Sequence, residues 1–297
     1  MRTFDGKTAF LTGAASGIGR ELARRLAEEG CHLYLVDIDA DGLRALAEEL
    51  AHFGQHIQTD VCDLSQLDQV QEMLQRCDGR VDRIDLLINN AGVAYYGPTD
   101  AMTQQQWDWL MNINLLAPLR ITQHFLPQLM TRPDAHVVNM CSISGLVAGG
   151  RFAAYHTSKY GLVGFTEALR AEYGRKGIGV TAICPGPVKT NLYQAAASGR
   201  QNAKVPTPPN WLCASPERVA ELTLRGIRRN RRQVLITPLA HGLFQLKRFV
   251  PGLLDFASQF SRKKKARLAI LEAEEQERLR QLQNPDHSES QSQQKAA

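Results

Sequence analysis

Residues 8–30 read TAFLTGAASGIGRELARRLAEEG, and this stretch decides the fold. Its first four residues predict a short apolar strand. The ten residues before Gly30 carry apolar side chains at helical spacing, and Gly30 ends the helix. Strand, glycine-rich turn and helix in this order predict a dinucleotide-binding turn, because glycines let the backbone approach a pyrophosphate and the helix amino terminus offers free N–H groups. The glycines of the turn are Gly13, Gly17 and Gly19.

An acidic residue follows the second predicted strand, residues 31–36. This residue is Asp37, which lies 18 positions beyond Gly19. An acid at this place accepts hydrogen bonds from both ribose hydroxyls of NAD and repels the additional phosphate of NADP. Positions 16 and 38 carry Ser16 and Ile38, so neither offers a cation to that phosphate. The sequence therefore predicts NAD as the cofactor and disfavours NADP.

A second pattern combines a tyrosine, a lysine and a serine. Tyr155 and Lys159 are four residues apart, and Ser142 precedes the tyrosine by 13 residues. Positions i and i+4 share one face of a helix, so the phenol and the ammonium lie together. A tyrosine that transfers protons near neutrality needs its pKa lowered from about 10 by about 3 units, or about 4 kcal/mol, and a neighbouring cation supplies part of that shift. An isolated YxxxK sequence is also compatible with a solvent-facing pair.

These two patterns resemble the motifs of the short-chain dehydrogenase/reductase family, of the type that carries TGxxxGxG and YxxxK. The resemblance covers residues 4–238. Further motifs stand in the family's order and spacing, and they are Asp60-Val61, Asn89-Asn90-Ala91-Gly92, Asn114 in Met111-Asn112-Ile113-Asn114, Ser142, Pro185-Gly186 and Thr190.

The resemblance implies a role for four catalytic residues. Tyr155 is expected to act as general base in alcohol oxidation and general acid in ketone reduction. Lys159 is expected to lower the pKa of that tyrosine and to hold the nicotinamide ribose. Ser142 would orient the substrate oxygen, and Asn114 would use its backbone to hold a water that links the lysine to solvent.

The same resemblance implies a set of cofactor-binding residues and no metal site. The set is Gly13, Ser16, Gly17, Ile18, Gly19, Asp37, Asp60, Val61, Asn90, Ala91, Gly92, Tyr155, Lys159, Pro185, Gly186, Val188 and Thr190.

Strand and helix signals alternate along the chain, which predicts an α/β fold with a parallel sheet covered on both faces. Together with the resemblance, this predicts one Rossmann-type doubly wound domain over residues 1–238, a helical extension over 239–283 and a disordered polar tail over 284–297. The six cysteines lack CxxC or metal-ligand spacing, and no charged-then-apolar leader precedes the first strand. Both features predict a reduced, cytoplasmic protein without disulfides or zinc.

The carboxyl-terminal part of the chain is strongly basic. Residues 225–267 contain twelve Lys or Arg and one acid, Asp255, for a net charge of +11, whereas the whole chain carries only +5. The arginine-rich run 228–232 follows a predicted helix and precedes a predicted strand, so nucleic acid is not expected as a partner.

Apolar residues between positions 243 and 260 form a face flanked by basic side chains, and Pro251-Gly252 divides it into two short helices. Three alternatives remain open for residues 239–267. The segment could lie on an anionic membrane surface, close over the substrate cleft, or pack on the body or a second subunit.

The segments that line the substrate cleft in this family are mostly apolar here, and they include residues 93–96 and 146–149. An apolar cleft favours a lipophilic alcohol or ketone as substrate. The predicted function is an NAD(H)-dependent oxidoreductase that interconverts a lipophilic secondary alcohol and its carbonyl counterpart. The alternatives are an NADPH-type 3-oxoacyl or small diketone reductase, and a non-catalytic NAD(H)-binding regulator. Helices over 103–131 and 155–175 correspond to the family's dimer-forming pair, which predicts a homodimer or homotetramer.

Overall fold

A seven-stranded parallel sheet forms the centre of the protein. The computed structural model describes residues 1–192, 196–198, 205–253 and 256. The sheet has the strand order β3-β2-β1-β4-β6-β7-β9, and a short parallel pair, β5 and β8, lies outside it. The strands are β1 (Thr8–Thr12), β2 (His32–Asp37), β3 (Ile57–Val61), β4 (Leu86–Asn89), β5 (Tyr95–Tyr96), β6 (His136–Met140), β7 (Gly179–Pro185), β8 (Ala197–Ser198) and β9 (Gln233–Ile236).

Helices connect the strands and cover the sheet. They are α1 (Gly17–Glu28), α2 (Ala40–Leu50), α3 (Leu67–Asp78), α4 (Gln104–Met111), α5 (Ala117–Leu129), α6 (Ala153–Tyr173), α7 (Pro216–Arg228) and α8 (Pro238–Phe249). Polar side chains cap the amino termini of several helices. Thr103 and Gln106 form a reciprocal capping box at α4, and Ser215 accepts a hydrogen bond from the Arg218 N–H at α7.

The sheet is buried on both faces, as expected for parallel strands that consist of nearly continuous apolar residues. Alternate residues of β1 enter different cores: Ala9 and Leu11 pack with α1, α2 and α7, whereas Phe10 packs with α3, α5 and α6. The chain runs outward from β1 to β3 and then returns to β4 on the other side of β1. The predicted Rossmann-type doubly wound parallel sheet is therefore confirmed, and its switch point lies between β1 and β4.

Close packing explains two of the glycines in the turn after β1. A Cβ atom on Gly19 would lie 1.8 Å from the Gly13 carbonyl oxygen. Gly13 has a φ of +67°, and a Cβ atom there would lie 2.8 Å from the Cα of Ala91. The turn therefore tolerates no side chain at either position.

The segment predicted as one helix over 103–131 is interrupted. A π-helical turn, Asn112–Leu116, separates α4 from α5, and the Ala117 N–H donates to the Asn112 carbonyl. Such insertions are frequent at functional sites, and this one contains Asn114. Asp60 and Val61 are the last two residues of β3.

The chain forms two compact units, Met1–Gln245 and Leu246–Ala297. The first unit includes the first turns of α8, which the sequence assigned to the extension. Helix α8 ends at Phe249, two residues before Pro251, because proline disfavours a helical conformation in the residue before it. Most of the predicted helical extension and the polar tail lie outside the described residues. Among the helices that the structure describes, none is long and apolar enough to cross a membrane.

Candidate active site

A cleft of about 620 Å³ opens at the carboxyl ends of the strands around the switch point. Nearly all the residues predicted for catalysis and cofactor binding line this cleft. The exceptions are Gly19, Asp60, Val61 and Asn114. Residues that are far apart in the sequence therefore meet in one place, as expected for the crevice of an open α/β sheet.

The glycine turn is fixed to the end of β4 by hydrogen bonds. The Thr12 hydroxyl accepts from the backbone N–H groups of Asn90 and Ala91, at 3.1 Å each. The Asn90 side-chain amide donates to the carbonyls of Thr12 and Gly13, at 3.0 Å each. Across the cleft, a Cβ atom on Gly17 would lie 3.2 Å from the Thr190 methyl carbon. The turn thus has a fixed backbone surface next to the amino terminus of α1, where phosphate groups bind well.

Asp37 lies at the carboxyl end of β2 with its carboxylate held by two backbone donors. Oδ2 accepts from the Ala15 N–H at 2.9 Å, and Oδ1 accepts from the Asp39 N–H at 3.1 Å. Each carboxylate oxygen has a second lone pair for a further donor. The neighbouring wall consists of Ser16 and the exposed side chain of Ile38. The glycine turn, the helix terminus and this acid together fit the pyrophosphate and ribose of a dinucleotide.

Asp60 is buried, and side chains of neighbouring elements form hydrogen bonds with its carboxylate. Its carboxylate accepts from the Tyr34 hydroxyl at 2.7 Å and from the guanidinium of Arg76 at 2.9 to 3.2 Å. Burial and the bond to Asp60 raise the pKa of Tyr34. The cleft wall next to this strand consists of Cys62, Asp63 and Leu64 instead. The structure therefore does not bring the predicted Asp60-Val61 pair to the cleft surface.

Lys159 is the most deeply buried charge of the site, with 3% of its surface exposed. Its Nζ donates to the Met140 carbonyl at 2.8 Å and lies 5.8 Å from the centre of the Tyr155 ring. Burial lowers the pKa of this lysine to about 8, because removal from water disfavours the charged form. Tyr155 and Lys159 share one face of α6, as their spacing predicts.

Asn114 is fully buried, and its side chain has a structural task. Its Oδ1 accepts from the Val93 N–H, and its Nδ2 donates to the Val93 carbonyl, both at 2.8 Å. Nδ2 also donates to the Ser158 hydroxyl at 3.2 Å, which in turn donates to the Tyr155 carbonyl. The side chain thus links the π-helical turn to the loop after β4 and to α6.

Ser142 and His156 organise the loop that follows β6. The Ser142 hydroxyl oxygen accepts from the Ser144 N–H at 3.1 Å, which leaves its proton available to the cleft. His156 bridges the same loop, because one ring nitrogen lies 2.8 Å from the Ser144 carbonyl and the other accepts from the Gly149 N–H at 2.9 Å. His156 therefore holds this loop in place.

The other end of the cleft is apolar, and part of its wall comes from α8. Leu239, Ala240 and Leu243 line the cleft from the first turns of this helix. The chain enters α8 through Thr237, whose φ of +93° is a strained conformation for a β-branched residue. The Thr237 hydroxyl accepts from the Ala240 N–H at 3.2 Å and so stabilises the start of the helix.

Sequence reasoning missed several residues of this apolar wall. Trp109 and Phe152 line the cleft, and the Phe152 ring lies 6.3 Å from the Tyr155 ring in an edge-to-face arrangement. Neither belongs to a motif, and only their aromatic character next to predicted site segments could have indicated them. Within the part of the chain that the structure describes, no group of three or more His, Cys, Asp or Glu side chains could hold a metal ion.

The buried charge of Lys159 predicts a pH-dependent stability. Below pH 8 the lysine is charged in the folded and unfolded states, and the folded state bears the desolvation cost. Above pH 10.5 it is neutral in both, so wild-type stability should rise relative to Lys159→Met between these values, by up to about 3 kcal/mol. Chemical unfolding of both proteins across this pH range measures the difference. Lys176→Met, at an exposed position, is the control. A stability difference between wild type and Lys159→Met that does not change with pH would contradict the prediction.

Comparisons with known proteins agree with this geometry. The family model described as short chain dehydrogenase matches residues 7–201. The oxidoreductase UcpA of Salmonella typhimurium is 38% identical over 198 residues, which cover 66% of this chain and 75% of that protein.

Two of the solved structures that this chain resembles contain a nicotinamide cofactor. A short-chain dehydrogenase/reductase of Burkholderia phymatum in complex with NAD has a TM-score of 0.76 and 27% identity, covering 86% of this chain and 97% of that one. A short-chain dehydrogenase of Sphingobium yanoikuyae in complex with NADPH has a TM-score of 0.71 and 25% identity, covering 90% of this chain and 95% of that one. The motifs, the sheet and these matches together show that the chain belongs to the short-chain dehydrogenase/reductase family of oxidoreductases.

Proposed function

We propose that the protein is an NAD(H)-dependent oxidoreductase that interconverts a lipophilic secondary alcohol and its ketone. The observation that carries this proposal is the composition of the cleft. It joins a dinucleotide-binding turn and an acid at one end to an apolar wall at the other, with Tyr155, Lys159 and Ser142 between them. The bound cofactor supplies or accepts the hydride, and the protein supplies geometry and electrostatics.

The preference for NAD rests on Asp37. The backbone N–H groups of Ala15 and Asp39 hold its carboxylate at the cleft wall, where it can accept hydrogen bonds from two ribose hydroxyls. A phosphate on the same ribose would face a negative charge and find no cation at Ser16 or Ile38. Cofactor binding is further assigned to the glycine turn, residues 90–92, Pro185-Gly186, Val188 and Thr190.

Tyr155 is the proposed general acid and base. Lys159 stands close to its ring, and the lysine's positive charge favours the phenolate over the phenol. The pKa of Lys159, about 8, keeps most of this charge in place at neutral pH. Burial of Lys159 strengthens the interaction, because little water screens its charge.

Ser142 and Asn114 are the two remaining residues of the proposed catalytic set. The Ser142 hydroxyl accepts from Ser144 and so can donate its own proton to the substrate oxygen, which orients the carbon that exchanges hydride. The Asn114 side chain is occupied by Val93 and Ser158, so its backbone is the part left to hold a water that relays protons from Lys159.

The lipophilic character of the substrate rests on the far wall of the cleft. Trp109, Phe152, Leu239 and Leu243 lie there, and apolar lining with a few polar groups is typical of sites for lipophilic small molecules. Leu239 and Leu243 come from the segment for which cleft closure was one of three alternatives. Contact of residues 239–267 with an anionic membrane and assembly into a homodimer or homotetramer stay predictions.

Replacement of Asp37 tests the cofactor proposal. Asp37→Ala should raise the ratio of NADP⁺ to NAD⁺ kcat/KM at least about tenfold, since loss of the charge removes about 1.4 kcal/mol or more of discrimination. Steady-state kinetics with both cofactors measures the ratio. Asp41→Ala is a matched control, because it removes a carboxylate close to Asp37 in the sequence. In the structure the Asp41 carboxylate forms a surface ion pair with Arg44. An unchanged ratio in Asp37→Ala would overturn the role of Asp37.

Replacement of Tyr155 tests the chemistry. Tyr155→Phe should lower kcat by about 10²- to 10⁴-fold on a graded panel of secondary alcohols, while binding of NAD⁺ is retained. The control is Tyr173→Phe, at the end of the same helix and outside the cleft. Turnover that survives in Tyr155→Phe would exclude this residue as the acid and base.

The α8 wall predicts a dependence on substrate size. Leu243→Ala should raise KM about tenfold for long-chain alcohols and little for short ones, because it removes about 1–2 kcal/mol of apolar contact. The measurement is kcat/KM against chain length. The neighbouring Phe244 does not line the cleft, and Phe244→Ala should leave the profile unchanged. Equal losses for short and long substrates would contradict a wall function of α8.

A further inference from the structure

Two thiols lie side by side beneath the cleft. Strands β6 and β7 are parallel neighbours with Met140 opposite Ile183, so the next residue of each chain segment is a cysteine, Cys141 and Cys184. Adjacent strands are about 4.7–4.9 Å apart, which falls within the Cα separation of about 4.4–6.8 Å that a disulfide requires. Both cysteines belong to one buried apolar cluster, which also contains Leu162, Val163 and Ala182. The sequence alone did not suggest this pair, because 43 residues separate its members.

The two thiols differ in access. Cys141 is 3% exposed, and it lines the cleft. Cys184 is fully buried behind it. A reagent that enters the cleft therefore meets Cys141 first.

Their electrostatic surroundings differ as well. Burial alone would raise the pKa of Cys141, but the interaction with the neighbouring Cys184 thiol and the charge of Lys159 lower it below its ordinary value. The interaction with Cys141 and burial raise the pKa of Cys184. Cys62 lines the same cleft without such a partner, and burial raises its pKa to about 11. Thiolate character makes a cysteine nucleophilic, so Cys141 is the reactive thiol of this cleft.

We propose that Cys141 and Cys184 are an oxidisable dithiol whose oxidant is a hydroperoxide. The Cys141 thiolate attacks the peroxide O–O bond and becomes a sulfenic acid, while the other oxygen leaves as water or an alcohol after taking up a proton. The Cys184 sulfur then attacks the sulfenic sulfur, and its own proton leaves with the hydroxyl as a second water. Two thiols and one hydroperoxide thus give one disulfide, one alcohol or water, and one water.

The bond would act on the site that it underlies. Cys141 lies between Met140, whose carbonyl accepts from Lys159, and Ser142, whose hydroxyl lines the cleft. A disulfide brings the two sulfurs to about 2.05 Å, well inside their contact distance, and so draws the end of β6 toward β7. Displacement of Lys159 and Ser142 should abolish turnover until a thiol reductant restores the pair. This effect on turnover rests on the proposed function, whereas formation of the disulfide does not.

The test uses the full chain with Cys213→Ser as background, which removes the cysteine that is not buried. After treatment with hydrogen peroxide, peptide mapping by mass spectrometry should find Cys141 linked to Cys184, with loss of two hydrogen atoms from the intact mass and reversal by dithiothreitol. Addition of Cys184→Ser should leave Cys141 as a sulfenic acid that dimedone traps. Addition of Cys62→Ser should leave the cross-link unchanged.

The readout is independent of activity, so a failure of the proposed function would not hide the disulfide. A Cys141 that is oxidised to sulfinic acid while Cys184 stays a free thiol would overturn the proposal. Retention of both thiols under conditions that oxidise Cys213 in the wild-type chain would overturn it as well. Full turnover in the cross-linked protein would leave the disulfide standing and refute its effect on the site.

Discussion

The contact between the turn after β1 and the end of β4 is the constraint on which the rest of the structure depends. Gly13 approaches Ala91 so closely that a single added carbon would collide with it, and the Thr12 hydroxyl and the Asn90 amide hold the two segments together. The chain leaves β1 for one half of the sheet and returns at β4 to build the other half. This contact therefore joins the two halves, and it also directs the amino terminus of α1 toward the cleft.

A buried cation organises the opposite wall. Lys159 costs free energy to bury, and its pKa of about 8 reflects that cost. A hydrogen bond to the Met140 carbonyl offsets part of this cost. Gly92 packs against the ammonium group, since a Cβ atom on Gly92 would lie only 3.4 Å from Nζ. The π-helical turn places the fully buried Asn114 next to Gly92 as well. The Asn114 side-chain oxygen would lie 3.4 Å from a Cβ atom added to Gly92. Such an unfavourable burial persists where the surrounding structure determines it, and this is common at functional sites.

The alternation of strands and helices and the glycine turn could be predicted from local sequence patterns, and the family resemblance indicated further site residues, most of which line the cleft. What could not be predicted depends on contacts between distant segments. Asp60 matches a motif, yet Arg76 on α3 and Tyr34 on β2 occupy its carboxylate. The contribution of α8 to the cleft depends on the backbone turn at Thr237, and a β-branched residue gives no signal for a positive φ. The π-helical turn replaces part of a segment whose apolar periodicity is that of an ordinary helix.

The cleft is polar at one end and apolar at the other, and this difference orders what can occupy it. A pyrophosphate is well stabilised next to the glycine turn, where the amino terminus of α1 offers free backbone N–H groups. Apolar atoms of a ligand are best accommodated next to side chains such as Phe152 and Leu243. The boundary between the two lies at Tyr155, Lys159 and Ser142, which is also where Cys141 reaches the surface. A buried charge, a phenol and a thiol therefore line one cleft, so oxidation of the proposed dithiol would change the surroundings of Lys159 and Tyr155.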